Sequence, residues 1–513
     1  MSTSSVPASN TFDVIIVGAG IAGPALACAL ASLPSKSSPP LRIALLDRSL
    51  AEPNRIVGEL LQPGGMNALR ELGLEDCVEN IDAISTFGYA VLYKGTTIHI
   101  PYPDKAEGRS FHHGRFVMSL RDRARTARGV QLIEATVSDV IEDAETGKVV
   151  GVKATRKDLG ASPVASEFYA DIVFMADGWS SKFRSQVLGA SLREPKLKSH
   201  FVGFVLEDVT LPIPKHGTVV LIPGTGPLLL YQIGTHETRM LVDVQGGLPK
   251  DVPAYVKKSI IPFLPENLRE PILDCMAKGK PKSMPNSFLP ASLQGSKNHK
   301  AGAILIGDAW NMRHPLTGGG MTVALSDVVI LRKLLEPLIS EACETPSEAG
   351  ATPSRPFADW ERITPLLTDL HWERKGLAST VNILSVALYD LFGAEDENLN
   401  VLREGCIKYF ERGGECITGP VSLLAGLAPR PLLLANHFFS VAFYSVYCLF
   451  TTPRLTTQPS EDDDAHSDSA VSKPSMHPPS VDEYPALLFR GIAAIYTAAI
   501  VFLPLVWTEI RWW

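Results

Sequence analysis

The chain has 513 residues, room for two or three domains and a sizeable core. A formal net charge of -7 offers no electrostatic footprint for nucleic acid, so none is expected as a partner, and 45% hydrophobic with 20% charged residues is an ordinary globular composition. The seven cysteines are scattered, odd in number and without CxxC or Cys/His ligand spacing, which argues against a disulfide framework or a metal centre and for reduced thiols.

Residues 1–12 read as a polar tail. Asp13 to Val17 is a short β-branched run, followed by GAGIAG (Gly18 to Gly23) and a small-residue helix through about Leu33. Val14 to Ser35 carries no formal charge, yet Gly18, Gly20, Gly23 and Pro24 interrupt it and no basic leader precedes it. It therefore reads as a buried strand, turn and helix, not as a membrane span or a secretory signal. A second buried strand, Leu41 to Leu46, ends at Asp47, completing a βαβ opening of the dinucleotide-binding kind. Glycine at 18, 20 and 23 serves a tight turn, close approach of backbone to a pyrophosphate, and helix packing; Asp47 can accept from a ribose hydroxyl. Taken alone, the motif could also be a Gly-rich packing turn.

Alternation from Phe87 to Tyr102 around Lys94-Gly95 predicts a hairpin of a second, antiparallel sheet. The chain returns through FHHGRFVMSLRDRAR (111–125), a helix, and through strands around Gln131 to Val137 and Val149 to Ala154. The apolar strand Ala170 to Phe174 runs into ADGWSSKFR (176–184), where Asp177 and Gly178 can bring backbone to a cofactor and Arg184 can meet a phosphate or carboxylate. A surface turn with a solvated arginine is the alternative. Alternating runs between His200 and Val244 complete the second sheet. Two interleaved domains result, one from 13–84, 109–192 and 299–340, the other from 85–108 and 193–298.

Ala303 to Ile306 leads into GDAWNMRHPLTGGGMTVALSD (307–327), a strand that delivers an acidic residue and then a glycine-rich helix start. Free N–H groups at such a start face whatever precedes it. Asp308 is placed to bond a ribityl hydroxyl, with a plain helix N-cap as the alternative. The segment from Pro315 through Gly318 and Gly319 to Gly320 is placed to lay backbone N–H groups along a flavin's pyrimidine edge, where the positive helix end favours charge on the reduced ring. Arg313 and His314 are open between cofactor contact and structural support. One large cofactor held from both ends of the chain is implied, and FAD fits these residues.

The remainder, 356–513, reads as helical. It holds an apolar stretch from Thr380 to Phe392, a glycine-rich turn ERGGECITGPVSLLAGL (411–427), and membrane-associated helices at 431–450 and 486–508. A polar, mobile connector, 451–482, separates the two. Pro431, Asn436, His437 and Pro504 suit helices lying in one leaflet as well as spanning ones, and Trp507, Trp512 and Trp513 favour an interface. A buried helical core is the alternative.

The three motifs in this order resemble the α/β fold of single-component aromatic hydroxylases: a Rossmann-like FAD-binding domain interleaved with an antiparallel-sheet substrate domain, here followed by a C-terminal helical, membrane-associated region. Within that group GELLQPGG (58–65), FHHGRFVMSLR (111–121), SHFVGF (199–204), RHPLTGGGMTVA (313–324) and GGECITGPVSLL (413–424) resemble the squalene monooxygenase (squalene epoxidase) family, with similarity from about residue 12 to the C-terminus. The resemblance implies FAD contacts at Asp47, Arg55, Arg121, Val137, Asp308 and Met321; the family often has glutamate where this chain has Asp47. It also implies that Tyr89 and Gln62 couple near the flavin and affect activity, against the alternatives of a half-buried sheet residue and a loop-satisfying amide.

By the same resemblance, the reaction is epoxidation of squalene to (S)-2,3-epoxysqualene with dioxygen, in sterol (ergosterol) biosynthesis. The location implied is the endoplasmic reticulum membrane, catalytic part facing the cytosol, with lipid droplets as a second location. No second dinucleotide fingerprint is present, which fits electron delivery from NADPH by an NADPH-cytochrome reductase. Many family members carry an N-terminal membrane segment without a counterpart here, so attachment to membrane lipid is expected through the C-terminal helices alone; the connector is longer and more acidic than usual. No Ser/His/Asp set, paired carboxylates or metal site is expected. The protein's work is to exclude water and hold the alkene, with Phe, Leu, Tyr and Met residues of the second sheet lining a long apolar pocket. Alternatives are a same-fold flavoenzyme acting on another isoprenoid or polyene, a self-sufficient NADPH hydroxylase, an isoprenoid reductase, and a non-catalytic membrane-bound flavoprotein.

Overall fold

The computed structural model describes residues 10–33, 39–157, 163–278, 281–296, 298–344, 355–393, 396–456 and 475–510. Two seven-stranded sheets organise it. In the first, Val14–Val17 is an interior strand, paired in parallel with Ile43–Asp47 on one side and Ile172–Met175 on the other. Ala303–Leu305 joins beyond Ile172–Met175, again in parallel. Such strands need both faces covered, and their residues are apolar throughout: Val14 to Val17 and Ile172 to Met175 are all buried. Val130–Glu142 starts parallel to Ile43–Asp47, then slips register between Val137 and Asp139 and continues antiparallel to Val149–Arg156. Val164–Tyr169, absent from the sequence reading, completes that edge.

The second sheet is antiparallel except where Gly217–Leu221 runs parallel to Gly88–Tyr93. The expected hairpin is there: Gly88–Tyr93 and Thr96–Pro101 are joined at Lys94-Gly95, both residues with positive φ as a tight twisted turn requires. The twofold repeat of the strands sorts their side chains into two cores. Ala90, Leu92, Val202, Phe204, Leu230 and Met240 face the helices Val252–Ser259 and Glu266–Lys278. Tyr89, Val91, Phe201, Val219, Leu229 and Leu241 face the other way, toward Tyr389, Phe392, Phe410 and Val421 of the C-terminal helices.

Those helices are Lys375–Phe392, Glu397–Glu411, Glu415–Leu424, Pro431–Thr451 and Tyr484–Ile510. The segment expected as a glycine-rich turn is a turn at Gly413-Gly414, where both φ values are positive, then helix over Glu415–Leu424, then a second turn at Gly426, φ +70°. Pro431–Thr451 and Tyr484–Ile510 run antiparallel, with Phe438 stacked on Phe502 and Phe450 against Tyr484. They lie tightly on the body. A Cβ at Gly405 would meet Ser445 Oγ at 1.9 Å, and one at Gly419 would meet the His437 ring at 2.0 Å. Most of the connector expected at 451–482 lies outside the described residues, as do Trp512, Trp513 and residues 1–9 of the tail.

Candidate active site

The glycine turn after Val17 shows why each glycine stands where it does. Gly18 has φ +106°, and a Cβ on it would lie 2.3 Å from Ala176 O; a Cβ on Gly23 would lie 1.9 Å from Gly18 O. These two admit backbone packing. Gly20 differs, since a Cβ there meets no atom within 4 Å, and the same holds for Gly178. Both line one cavity between the sheets. Asp47 accepts the N–H of Ala19 at 2.7 Å and that of Ser49 at 3.1 Å. Buried Arg121 donates Nε–H to Ala19 O at 2.8 Å and approaches Asp47 at 3.5 Å. The two side chains thus brace the turn, while Val137 marks the register shift of Val130–Glu142.

The cavity's opposite rim is the late glycine-rich segment. Asp308, Pro315, Gly318, Gly320 and Met321 line it together with Gly20, Arg55 and Tyr89. Asp308 makes no capping bond in its short turn Gly307–Ala309, so the N-cap alternative is not realised. Gly318 is left-handed at φ +61°, and helix Gly320–Glu344 begins directly after it with its first N–H groups lacking intrahelical acceptors. Gly319 points away; a Cβ there would strike Val381 Cγ1 at 2.3 Å. Asp177 sits behind the lining and accepts the N–H of Lys182 at 3.2 Å. Arg184, expected at a phosphate or carboxylate, instead donates to backbone carbonyls: Ala309 at 2.7 Å, Asp308 at 3.2 Å and Trp179 at 3.3 Å. Its short, buried position leaves it tying the two cavity loops together.

Gln62 and Tyr89 are both buried and bonded to each other. Gln62 Nε2 also donates to Thr317 O at 2.7 Å, and its Oε1 accepts the O–H of Tyr102 at 2.6 Å. Because a carbonyl can only accept, the contact to Thr317 fixes which way the amide points. This one side chain therefore joins the hairpin to the residue preceding Gly318–Gly320. Burial pushes the Tyr89 and Tyr102 hydroxyls up from their usual range, so both stay protonated. His113, donating through Nδ1 to Gly58 O at 2.9 Å, is held down at about 4 by burial and by neighbouring Arg55.

Two further clusters surround the cavity, neither anticipated from sequence. Glu59 makes a bidentate pair with Arg239, at 2.8 Å on each arm, and accepts from Tyr231 at 3.1 Å, all three buried. A buried pair of this geometry fixes register more than it adds stability; here it locks the GELLQPGG loop to the second sheet. The other cluster brings a serine, a histidine and an aspartate together without a hydrolase's arrangement. Ser199, His314 and Asp243 meet in the fully buried core, with His314 Nε2 3.0 Å from Ser199 Oγ and Ser199 bonded to Asp243. Its order is wrong for hydrolysis: His314 Nδ1 accepts the N–H of Leu316, and the carboxylate takes the serine proton instead of orienting the imidazole. The set clamps His314 and Pro315 to the second sheet. Arg313 is likewise structural, donating to Asn382 at 2.9 Å, Asn311 at 2.7 Å and Gly320 O at 3.2 Å.

A cavity with open glycine backbone on one rim and a helix N-terminus on the other suits a long anionic cofactor with a flat ring. Among the described residues two helices are long and apolar enough to cross a membrane, Pro431–Thr451 and Val481–Ile510. In the second, Leu488, Ile492, Tyr496, Ile500, Leu503 and Trp507 form an exposed stripe, each 52–67% accessible, while Leu487, Ala494, Ala498 and Phe502 face the protein. One face on the body and one bare apolar face make these helices membrane-associated.

Residues 169–461 match the squalene epoxidase family model. Squalene epoxidase erg1 of Aspergillus fumigatus is 41% identical over 96% of this chain and 93% of its own length. Squalene epoxidase 1 of Arabidopsis thaliana is 42% identical over 86% of this chain and 79% of its own. Among solved structures, p-nitrophenol 4-monooxygenase PnpA from Pseudomonas putida shares the fold, with a TM-score of 0.62 at 15% identity over 82% of this chain and all of that one. On these matches and on motifs that converge at one cavity, the chain belongs to the squalene epoxidase family.

Proposed function

We propose that this chain is an FAD-dependent monooxygenase that epoxidises squalene to (S)-2,3-epoxysqualene in sterol biosynthesis, using dioxygen and electrons passed from NADPH by a cytochrome reductase. The observation that carries the reading is the convergence of Gly20, Gly178 and the Gly318–Gly320 mouth on one cavity whose far wall is the apolar face of the second sheet. When bound, reduced FAD supplies the activation of dioxygen that lets one oxygen atom pass to an alkene while the other leaves as water. The residues fit that group: Gly20 and Gly178 leave room for a pyrophosphate, Asp47 keeps lone pairs for a ribose, and Asp308 faces the cavity unpaired by a cap.

The chain's own work is positional. Val219, Leu229, Leu241 and Leu316 present a dry wall against which a polyene lies, excluding water from the reacting face. The free N–H groups at Gly320 and Met321 favour negative charge at the ring edge. Tyr89, whose hydroxyl accepts from Gln62 and keeps its own proton to donate, lines the cavity, and Arg55 offers a cation on the same rim. In this reading segments 13–84, 109–192 and 299–340 bind FAD, 85–108 and 193–298 bind substrate, and the helical region from 356 collects squalene from lipid. The bare helical stripe favours lying in the cytosolic leaflet of the endoplasmic reticulum, or on a lipid droplet, over a free span.

The test is turnover of full-length protein with FAD, squalene, NADPH, a cytochrome reductase and isotopically heavy dioxygen. A monoepoxide carrying one heavy oxygen supports the reading. Squalene returned unchanged contradicts it, and full turnover with NADPH alone contradicts the partner reductase.

A further inference from the structure

The last turn of the C-terminal helix carries a group out of character with it. Beyond Arg490 in its second turn, Tyr484–Ile510 carries no charge until Glu509, which is 3% exposed and faces the protein. Its two oxygens are fully engaged. Oε1 accepts from Asn382 Nδ2 at 2.9 Å, Oε2 accepts from Ser379 at 3.0 Å, and Lys375 Nζ lies 3.5 Å from Oε2 while donating to the Glu509 carbonyl. Positions 375, 379 and 382 share one face of helix Lys375–Phe392. That face is thus matched to a single carboxylate.

The network does not stop there. Asn382 uses its Oδ1 to accept Arg313 Nε–H at 2.9 Å, and Arg313 donates to Gly320 O at 3.2 Å and to Asn311. Arg374, one position before Lys375, also reaches Asn311 at 3.0 Å and pairs with Asp327 of the helix that Gly320 opens. Val381 packs on Gly319 so closely that no side chain could stand between them. Two side chains, Asn382 and Arg313, therefore separate the membrane helix's carboxylate from the backbone at the cavity rim.

A buried ion pair is a weak source of net stability, because desolvation offsets most of its attraction; an apolar side chain would seal the helix end as well. What a carboxylate adds is a unique register. We propose that Glu509 is a positioning residue: it sets how the C-terminal helix seats on Lys375–Phe392, and through Asn382 and Arg313 holds the Gly318–Gly320 mouth in its cofactor-binding shape. Seating of the membrane-facing helix and occupancy of the site are thereby coupled, and coupling of this kind is reciprocal. The inference rests on the FAD reading above.

The test uses detergent-solubilised full-length chain and FAD alone. For E509L, FAD affinity measured by fluorescence quenching should weaken by about tenfold, within the usual span for coupled sites, and the visible spectrum of the bound flavin should shift. E509Q, which keeps an oxygen acceptor for Asn382 or Ser379, should restore most of the affinity and the wild-type spectrum. In the wild type, FAD should slow amide hydrogen exchange across residues 500–510, a readout that needs no variant to fold. An unchanged FAD affinity and spectrum in folded E509L, or wild-type exchange in 500–510 indifferent to FAD, overturns the proposal. A wild type that binds no FAD overturns both the proposal and the reading beneath it, and is told apart by that alone.

Discussion

Replacing Gln62 with leucine removes the junction between the hairpin and the glycine-rich mouth while nearly conserving volume. Gln62 is fully buried and serves Thr317 O at 2.7 Å, Tyr102 Oη at 2.6 Å and Tyr89. The two tyrosine rings stand edge to face, 5.7 Å apart, so their hydroxyls can turn to each other or to the cavity and recover part of what is lost. The Thr317 carbonyl cannot turn without moving Gly318. A buried group left unpaired costs about 1–3 kcal/mol, so one orphaned carbonyl plus incomplete recovery at two hydroxyls comes to about 2–4 kcal/mol. The same displacement reaches the N–H groups proposed to hold the flavin, so FAD affinity should fall with stability. Urea unfolding of the apo chain gives the first quantity and FAD titration the second. A Gln62→Leu protein within about 0.5 kcal/mol of wild type, an ordinary surface-mutation effect, and with unchanged FAD affinity would refute the junction's role.

The remaining expectations concern pH and lipid. His113 sits at about 4 against an ordinary 6.5, chiefly through burial and then through Arg55. The unfolded chain takes up this proton as the pH drops below about 6.5 and the folded chain does not until about 4, so its contribution is fully present above about 6.5 and is lost on the way down, roughly 3 kcal/mol in all. His113→Gln, which can still donate to Gly58, should flatten the fall in urea midpoint between neutral and mildly acid pH relative to wild type; an identical slope would contradict the assignment. On the bare helical stripe, Ile492→Asp with Leu503→Asp should leave the unfolding midpoint nearly unchanged. It should lower partition into lipid vesicles by at least about a hundredfold, since burying each aliphatic side chain is worth about 1.5–3 kcal/mol. Undiminished vesicle binding would show that this face does not meet lipid.

What could be read from residues and what could not divides along physical lines. Parallel strands buried on both faces announce themselves as apolar runs, as in Val14–Val17 and Ile172–Met175, and glycine turns carry their own steric signature. Lys282–Phe288 went unread because it is an edge strand containing Pro285, where a missing ladder donor is tolerated and local pattern is weak. Val164–Tyr169 is likewise an edge with most of its residues partly open to solvent. Ser199 and Asp243 come from separate strands, 44 residues apart, and His314 from a loop 115 residues beyond Ser199, so no spacing rule unites them. Arg184 was misread for a related reason: a basic residue after a glycine turn suits a phosphate, and only the fold shows three carbonyls already there. Glu509 had a visible signal, a lone acid near the end of an apolar helix, and such a residue asks for a partner wherever it appears.

The central claim, one flavin held between the first glycine turn and the late glycine-rich helix mouth, is tested most directly by Gly20→Val. A Cβ there meets no protein atom within 4 Å, so the valine should grow into the space assigned to the pyrophosphate. The apo variant should unfold at the wild-type urea concentration, yet FAD added to it should bind at least about a hundredfold more weakly, beyond two factors of ten at 1.4 kcal/mol each. Gly20→Val protein that purifies yellow and takes up FAD with wild-type affinity would contradict the placement of the cofactor.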